Sequence, residues 1–156
     1  FCCADGVHLA SGERLADAAR AAGLASVAPL VAVGVNCTPP QFVASLLAEL
    51  APFAGGAAPL AYANSGETFV STGAAGVGAA EVHGAAANEA RVAGWHRGAE
   101  CVGADPVSYA AIARCWLPRR GGAIVGGCCR TTPEHTRQLR RAVAAAHTQR
   151  AIIERA

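Results

Sequence analysis

The sequence predicts an α/β fold in which a parallel sheet is covered by helices. Short apolar runs alternate with helical stretches along the chain. Those runs are apolar throughout, not at every second residue, which is the pattern of strands buried on both faces. Cap-plus-proline signals then open helices directly after strands.

Taken in order, Ser11 is the expected N-cap of a helix over 12–22, with Leu15, Ala18, Ala19 and Ala22 on one face and Gly23 as its stop. Residues 28–37, APLVAVGVNC, form a β-branched apolar run of strand length. Thr38 with Pro39 behind it reads as an N-cap followed by proline at the first helical position. Phe42, Leu46, Leu47 and Leu50 then fall at helical spacing. PLAY at 59–62 is a further short strand, and NSGE after it is a turn. Asp105-Pro106 repeats the cap-plus-proline signal, with Tyr109, Ile112, Ala113 and Trp116 as an apolar stripe. Residues 123–127 are the last strand. Thr131 or Thr132, with Pro133 and Glu134, opens a terminal helix carrying Leu139, Val143 and Ala146. Residues 72–103 read as a Gly- and Ala-rich insertion, partly helical, whose His83 and His96 are surface residues and not ligands.

Composition excludes several classes. The 156 residues are 53% hydrophobic and 15% charged, enough to bury a core and unlike a disordered chain. A net charge of +2 is too small to argue for nucleic acid or an anionic membrane. No apolar run approaches the roughly 20 residues of a membrane span, and no basic-plus-apolar leader opens the sequence. Neither a nucleic-acid nor a membrane partner is expected, and the expected location is cytoplasmic. The absence of methionine predicts that the chain is part of a longer product. All 13 basic residues are arginine, which excludes Schiff-base chemistry and lysine-dependent phosphate loops.

The cysteines are Cys2, Cys3, Cys37, Cys101, Cys115, Cys128 and Cys129. An odd count with two vicinal pairs, and no CxxC, reads as reduced thiols. Neighbouring cysteines rarely reach good disulfide geometry, so Cys128-Cys129 is open to three readings: small core residues, a redox pair acting with Cys2-Cys3, or two ligands of one metal. Cys37 and the Cys128-Cys129 pair both fall just past the carboxyl end of a strand, the edge where parallel α/β folds bind ligands. Three thiols from two strands suit zinc, which binds thiolates at about 2.3 Å and, in catalytic sites, keeps a fourth position open. Consecutive strand residues face opposite sides, so Gly126 and Gly127 are expected to kink the chain and let both cysteines reach one ion. Cys101 and Cys115 read as packing residues. On spacing alone, metal site and core filler both stay open.

GVNCT at 34–38, YANSGE at 62–67 and GGCCRTTPEH at 126–135 together resemble the homocysteine S-methyltransferase family. FCCADGVHLASGE at 1–13 is similar to that family's strand and loop before GxNC. The resemblance implies a Zn2+ cofactor held by Cys37 of GxNC and by Cys128 and Cys129 of GGCC. It implies a (β/α)8 barrel of about 250 residues, of which residues 1–156 supply the C-terminal half as one partial domain of about four β-α units. The insertion after Glu67 is the main departure from the family pattern. The implied reaction moves a methyl group from S-methylmethionine or S-adenosylmethionine to the thiol of homocysteine, giving methionine. YANSGE and the residues after GGCC are similar to that branch and differ from the betaine-using one. The first half of the barrel, missing here, is where the family keeps the acidic residues that grip the amino-acid end of homocysteine. Asn64 and Glu67 read either as lining the mouth or as turn residues. Arg130 and Arg119-Arg120 read either as attracting a substrate carboxylate or as ordinary exposed arginines. The alternative reading is a catalytically incompetent zinc-binding fragment of such an enzyme.

Overall fold

The computed structural model describes residues 1–26, 29–70, 94–96, 101, 103–118 and 122–153. Its elements run α1 (Leu15–Ala21), β1 (Ala32–Asn36), α2 (Pro40–Leu50), β2 (Ala58–Ala63), β3 (Thr68–Val70), β4 (Gly94–His96), α3 (Pro106–Ala113), β5 (Ile124–Gly127) and α4 (Pro133–Ile153). β1, β2 and β5 form a parallel sheet in that order, with Val35 opposite Ala61 and Ala61 opposite Val125. The opening segment joins the outer side of β1: Cys2 bridges Asn36 in parallel, and the Asn36 N–H donates to the Phe1 carbonyl at 2.8 Å. Each helix packs on the next, α1 on α2, α2 on α3 and α3 on α4. Parallel neighbours joined by helices are the α/β arrangement that the apolar runs predict.

The core lies between sheet and helices. Val35, Ala61 and Ala63 meet Leu15 and Ala19 of α1, Val43, Leu46 and Leu50 of α2, Tyr109 and Ala113 of α3, and Leu139 of α4. Burying each Leu or Val contributes about 1.5–3 kcal/mol, so the stripe on α2 fixes that helix on the sheet. The expectation of strands buried on both faces holds for this face only. On the other, Asn36, Tyr62 and Ile124 are exposed, because no element among the described residues covers them.

Three helix starts test the local signals. Asp105 caps α3 as expected, its carboxylate accepting from the Ser108 N–H at 2.7 Å, and that bond holds the carboxyl below the usual range. At α2 the signal is shifted by one residue: Pro39 takes the cap position and Pro40 the first turn. The Thr38 hydroxyl is used elsewhere, accepting from the Cys3 N–H and donating to the Asn36 carbonyl, both at 3.1 Å in the buried interior. At α1 the expected Ser11 cap is absent. The helix starts at Leu15, since the preceding residues are held extended by a His8–Arg14 bridge and by the Leu15 N–H donating to the Val7 carbonyl. Ser11 bonds to Glu13 instead.

Within the insertion, read as partly helical, 94–96 is a strand that pairs antiparallel with β3. His83 lies outside the described residues, as does most of 72–103, and the side chain of His96 is likewise not described.

Gly34 sets how closely β1 and β2 approach. A Cβ there would lie 1.7 Å from the Leu60 carbonyl oxygen, an overlap that only a shift of the strand relieves. Gly34→Ala is expected to cost about 2–3 kcal/mol, read as a lower urea midpoint. Gly122→Ala, where nothing lies within 4 Å, is expected to leave the midpoint unchanged.

Candidate metal centre

β1 and β5 flank β2, so two strand spacings, about 9.6 Å, separate them in a regular sheet. Yet the Cα atoms of Cys37 and Cys128 are only 5.5 Å apart. The two chains therefore converge over the end of β2. The Cys37 N–H donates to the Tyr62 carbonyl and the Cys128 N–H to the Ala63 carbonyl, both at 2.8 Å. One step further, the Asn64 N–H donates to the Thr38 carbonyl and the Ser65 N–H to the Cys129 carbonyl, each at 3.1 Å. The stretch that continues β2 is thus bonded on one side to the segment holding Cys37 and on the other to the vicinal pair.

The convergence uses unusual backbone. Cys37 has φ 50 and Arg130 φ 64, and they are the non-glycine residues with positive φ among those described. Left-handed backbone costs an ordinary L-residue about 1–2 kcal/mol. Such backbone breaks the strand alternation, which is what lets neighbouring side chains serve one point. The expected kink at Gly126 and Gly127 is therefore displaced: neither has positive φ, and the chain turns over 128–131. There the Thr131 N–H and hydroxyl donate to the Cys128 carbonyl at 3.2 and 2.7 Å. The two glycines serve close approach. A Cβ on Gly127 would lie 2.3 Å from Thr131 Oγ1, and one on Gly126 2.7 Å from the Tyr62 ring.

The three cysteines do come together. Their sulfurs all lie within 4.8 Å of one another. Cys129 Sγ is 3.7 Å from Cys37 Sγ and 3.8 Å from Cys128 Sγ. Cys37 and Cys128 are joined as a disulfide, a Cα spacing equally open to two ligands of one ion. Tetrahedral coordination with metal–sulfur bonds of about 2.3 Å sets sulfurs about 3.8 Å apart, which matches both edges made by Cys129. With the Cys37–Cys128 pair reduced, the group offers three soft donors, and Cys129 is exposed, so one side is open to a further ligand. The donor set fits a thiophilic ion.

The remaining candidates divide. Asn64 and Glu67 are both buried. Asn64 Nδ2 donates to the Cys37 carbonyl at 3.3 Å, and Asn64 Oδ1 accepts from the Gly66 N–H at 2.7 Å. Glu67 accepts from Arg130 Nε at 2.5 Å, an ion pair that holds the guanidinium above its usual range. Cys3 is buried, and burial pushes its thiol up to about 11, so it is a poor redox partner for Cys2. Cys101 is half-buried and donates to the Ser65 carbonyl at 3.4 Å. Cys115, expected to pack, is exposed because its short 3-10 turn presents Trp116 to the core instead. Arg119 and Arg120 lie outside the described residues.

Sequence reading missed two braces. The Tyr109 hydroxyl, on a residue read as apolar stripe, lies 3.0 Å from both the Ala63 and Gly126 carbonyls, tying β2 to β5 below the cysteines. Buried His135 accepts at Nδ1 from the Thr132 N–H at 3.1 Å, and its Nε2 lies 3.3 Å from the Gly103 carbonyl. His135 thus stands where a capping box places Glu or Gln, and that spacing was the available signal.

Fold and site together define an α/β protein with three cysteines grouped at the carboxyl edge of its parallel sheet. The family profile described as homocysteine S-methyltransferase matches residues 1–143, and the chain belongs to that family. It is 33% identical over 139 residues to homocysteine S-methyltransferase 1 of Zea mays, and 32% over 140 residues to homocysteine S-methyltransferase YbgG of Bacillus subtilis (strain 168). It is also 32% identical over 140 residues to the selenocysteine methyltransferase of Astragalus bisulcatus. Each match covers 89% of this chain but 33–35% of the relative, so the chain spans about a third of the length of these relatives. No solved structure matches the chain.

If Gly127 is needed for the turn that presents the vicinal pair, Gly127→Val is expected to lower zinc affinity at least tenfold with every ligand intact. A chelator competition titration under reducing conditions measures it.

Proposed function

We propose that the chain is the metal-holding half of a zinc-dependent homocysteine S-methyltransferase. The observation that carries the reading is the convergence of Cys37, Cys128 and Cys129, two sulfur spacings of which suit one tetrahedral ion. These residues would hold zinc as thiolates. Bound there, zinc supplies the acidity that strips the proton from an incoming thiol, which is otherwise mostly protonated at neutral pH with a pKa near 8.5. The chain's own contribution is a net negative, electron-rich cluster that is open on one side and held by backbone hydrogen bonds beneath. That charge suits a methyl donor carrying a positive sulfonium, whose leaving group departs neutral. S-Methylmethionine or S-adenosylmethionine is the donor we propose, with homocysteine as acceptor.

We further propose that residues 1–156 form the second half of a (β/α)8 barrel. Support comes from the sequential parallel order of the opening segment, β1, β2 and β5, from helices that each pack on the next, and from the open sheet face bearing Tyr62 and Ile124. In a closed barrel that face is interior and the sheet has no edges. The insertion at about 72–103 is an addition to this partial domain. Among the described residues no helix is long and apolar enough to cross a membrane; a cytoplasmic location is part of the proposal.

Elemental analysis of the reduced chain is expected to give one zinc per chain, and Cys37→Ser, Cys128→Ser or Cys129→Ser to remove most of it, because a hydroxyl replaces a thiolate poorly. Cys115→Ser is expected to keep the full complement. Full zinc in Cys37→Ser would overturn the assignment.

The open face predicts how the chain behaves alone. Sedimentation is expected to show dimers or aggregates, and assay to show no methionine formation even with zinc. Co-expression with a family first half is expected to restore a soluble species and activity together. A soluble, active monomer of the isolated chain rules out the half-barrel.

A further inference from the structure

Arg130 follows the vicinal cysteines directly, and its backbone is left-handed. Its Nε donates to Glu67 Oε2 across 63 residues of sequence. Glu67 lies just past the end of β2, on the stretch bonded to both cysteine segments, and its side chain is only 7% exposed. A carboxylate that deep needs charged or hydrogen-bonding partners, while the 54% exposed Arg130 has no need of burial. Two residues before Glu67, the Ser65 N–H donates to the Cys129 carbonyl. Cys129 is thus held by its own carbonyl and through the next side chain, both from one loop. Without the second hold, the turn over 128–131 can relax toward extended backbone, in which neighbouring side chains face apart.

We propose that the Glu67–Arg130 pair is a positioning latch that keeps Cys129 turned toward Cys37 and Cys128, and so sets the metal affinity of the three-thiol site. Neither residue touches the sulfurs' shared point, and neither is a catalytic residue. The inference rests on the metal-centre reading above and adds to it two determinants that are not ligands. Partners that orient ligands typically change metal affinity 10–100-fold when removed.

The test is zinc affinity by chelator competition on the reduced 156-residue chain, together with the sulfur-to-cobalt charge-transfer band after cobalt(II) loading. Arg130→Ala and Glu67→Gln are each expected to weaken zinc binding 10–100-fold and to lower the band per cobalt as one thiolate is lost. The double variant is expected to lose less affinity than the two single losses combined, because the two side chains share one contact. Arg130→Gly, which loses the side chain but eases the left-handed backbone, is expected to lie between wild type and Arg130→Ala. Leu15→Ala, a core truncation on α1, should lower the unfolding midpoint while affinity and band stay unchanged, separating positioning from general stability. Glu67→Gln preserves side-chain shape and gives the answer if Arg130→Ala fails to fold. Affinities and bands within twofold of wild type in both single variants overturn the latch and leave the metal centre standing. A wild-type chain that binds neither zinc nor cobalt(II) overturns both.

Discussion

Everything at the site depends on the mismatch between strand spacing and metal–ligand reach. Ligands carried on the first and third of three adjacent strands start too far apart to share an ion, and the end of β2 lies between them. The chain meets this by folding both outer segments inward over β2 and bonding each to the backbone that continues it. The centre segment therefore acts as a template, even though no ligand is on it. The consequence runs outward: Gly34 brings β1 close to β2, Tyr109 bridges β2 to β5, and the stripe of α2 presses the sheet from behind.

Much of this order was legible in the residues. The three strands of the parallel sheet, the Asp105 cap and the grouping of Cys37 with Cys128 and Cys129 follow from periodicity, capping chemistry and resemblance, and the structure brings them out, whereas the β3–β4 pair was not read from the sequence. The errors share a physical cause. Thr38 and Ser11 carry good capping side chains, but each hydroxyl has another bond to make, Thr38 to the opening segment and Ser11 to Glu13. Local propensity ranks what a residue can do alone, and tertiary partners decide what it does. The turn at the vicinal pair shows the same effect. Two glycines next to two cysteines invite an argument from backbone freedom, whereas the left-handed residue is Arg130 and the glycines clear space for Tyr62 and Thr131. The Glu67–Arg130 contact was not legible, since nothing in either segment's composition announces a partner 63 residues away.

Burial separates the cysteines by chemistry. Cys3 is enclosed and its thiol is pushed up to about 11, so it stays protonated and packs like a small apolar side chain. Exposed Cys129 stands with Cys37 and Cys128 beside an ion pair and above converging backbone. Cys128 and Cys129 are adjacent in sequence, as Cys2 and Cys3 are, so sequence alone ranks the two pairs equally. What differs is the backbone at the pair: Cys2 and Cys3 lie in extended bridges to Asn36 and Leu9, whereas the chain turns over 128–131, where Arg130 adopts positive φ.

β3 and β4 pair antiparallel, Thr68 with His96 and Val70 with Gly94. The two ends of the intervening sequence are thereby pinned within one strand spacing of each other, just beyond the stretch that braces the cysteines. Closing a loop of doubled length costs only about 0.6 kcal/mol more. Closure entropy therefore sets only a weak limit on how many residues separate the two strands.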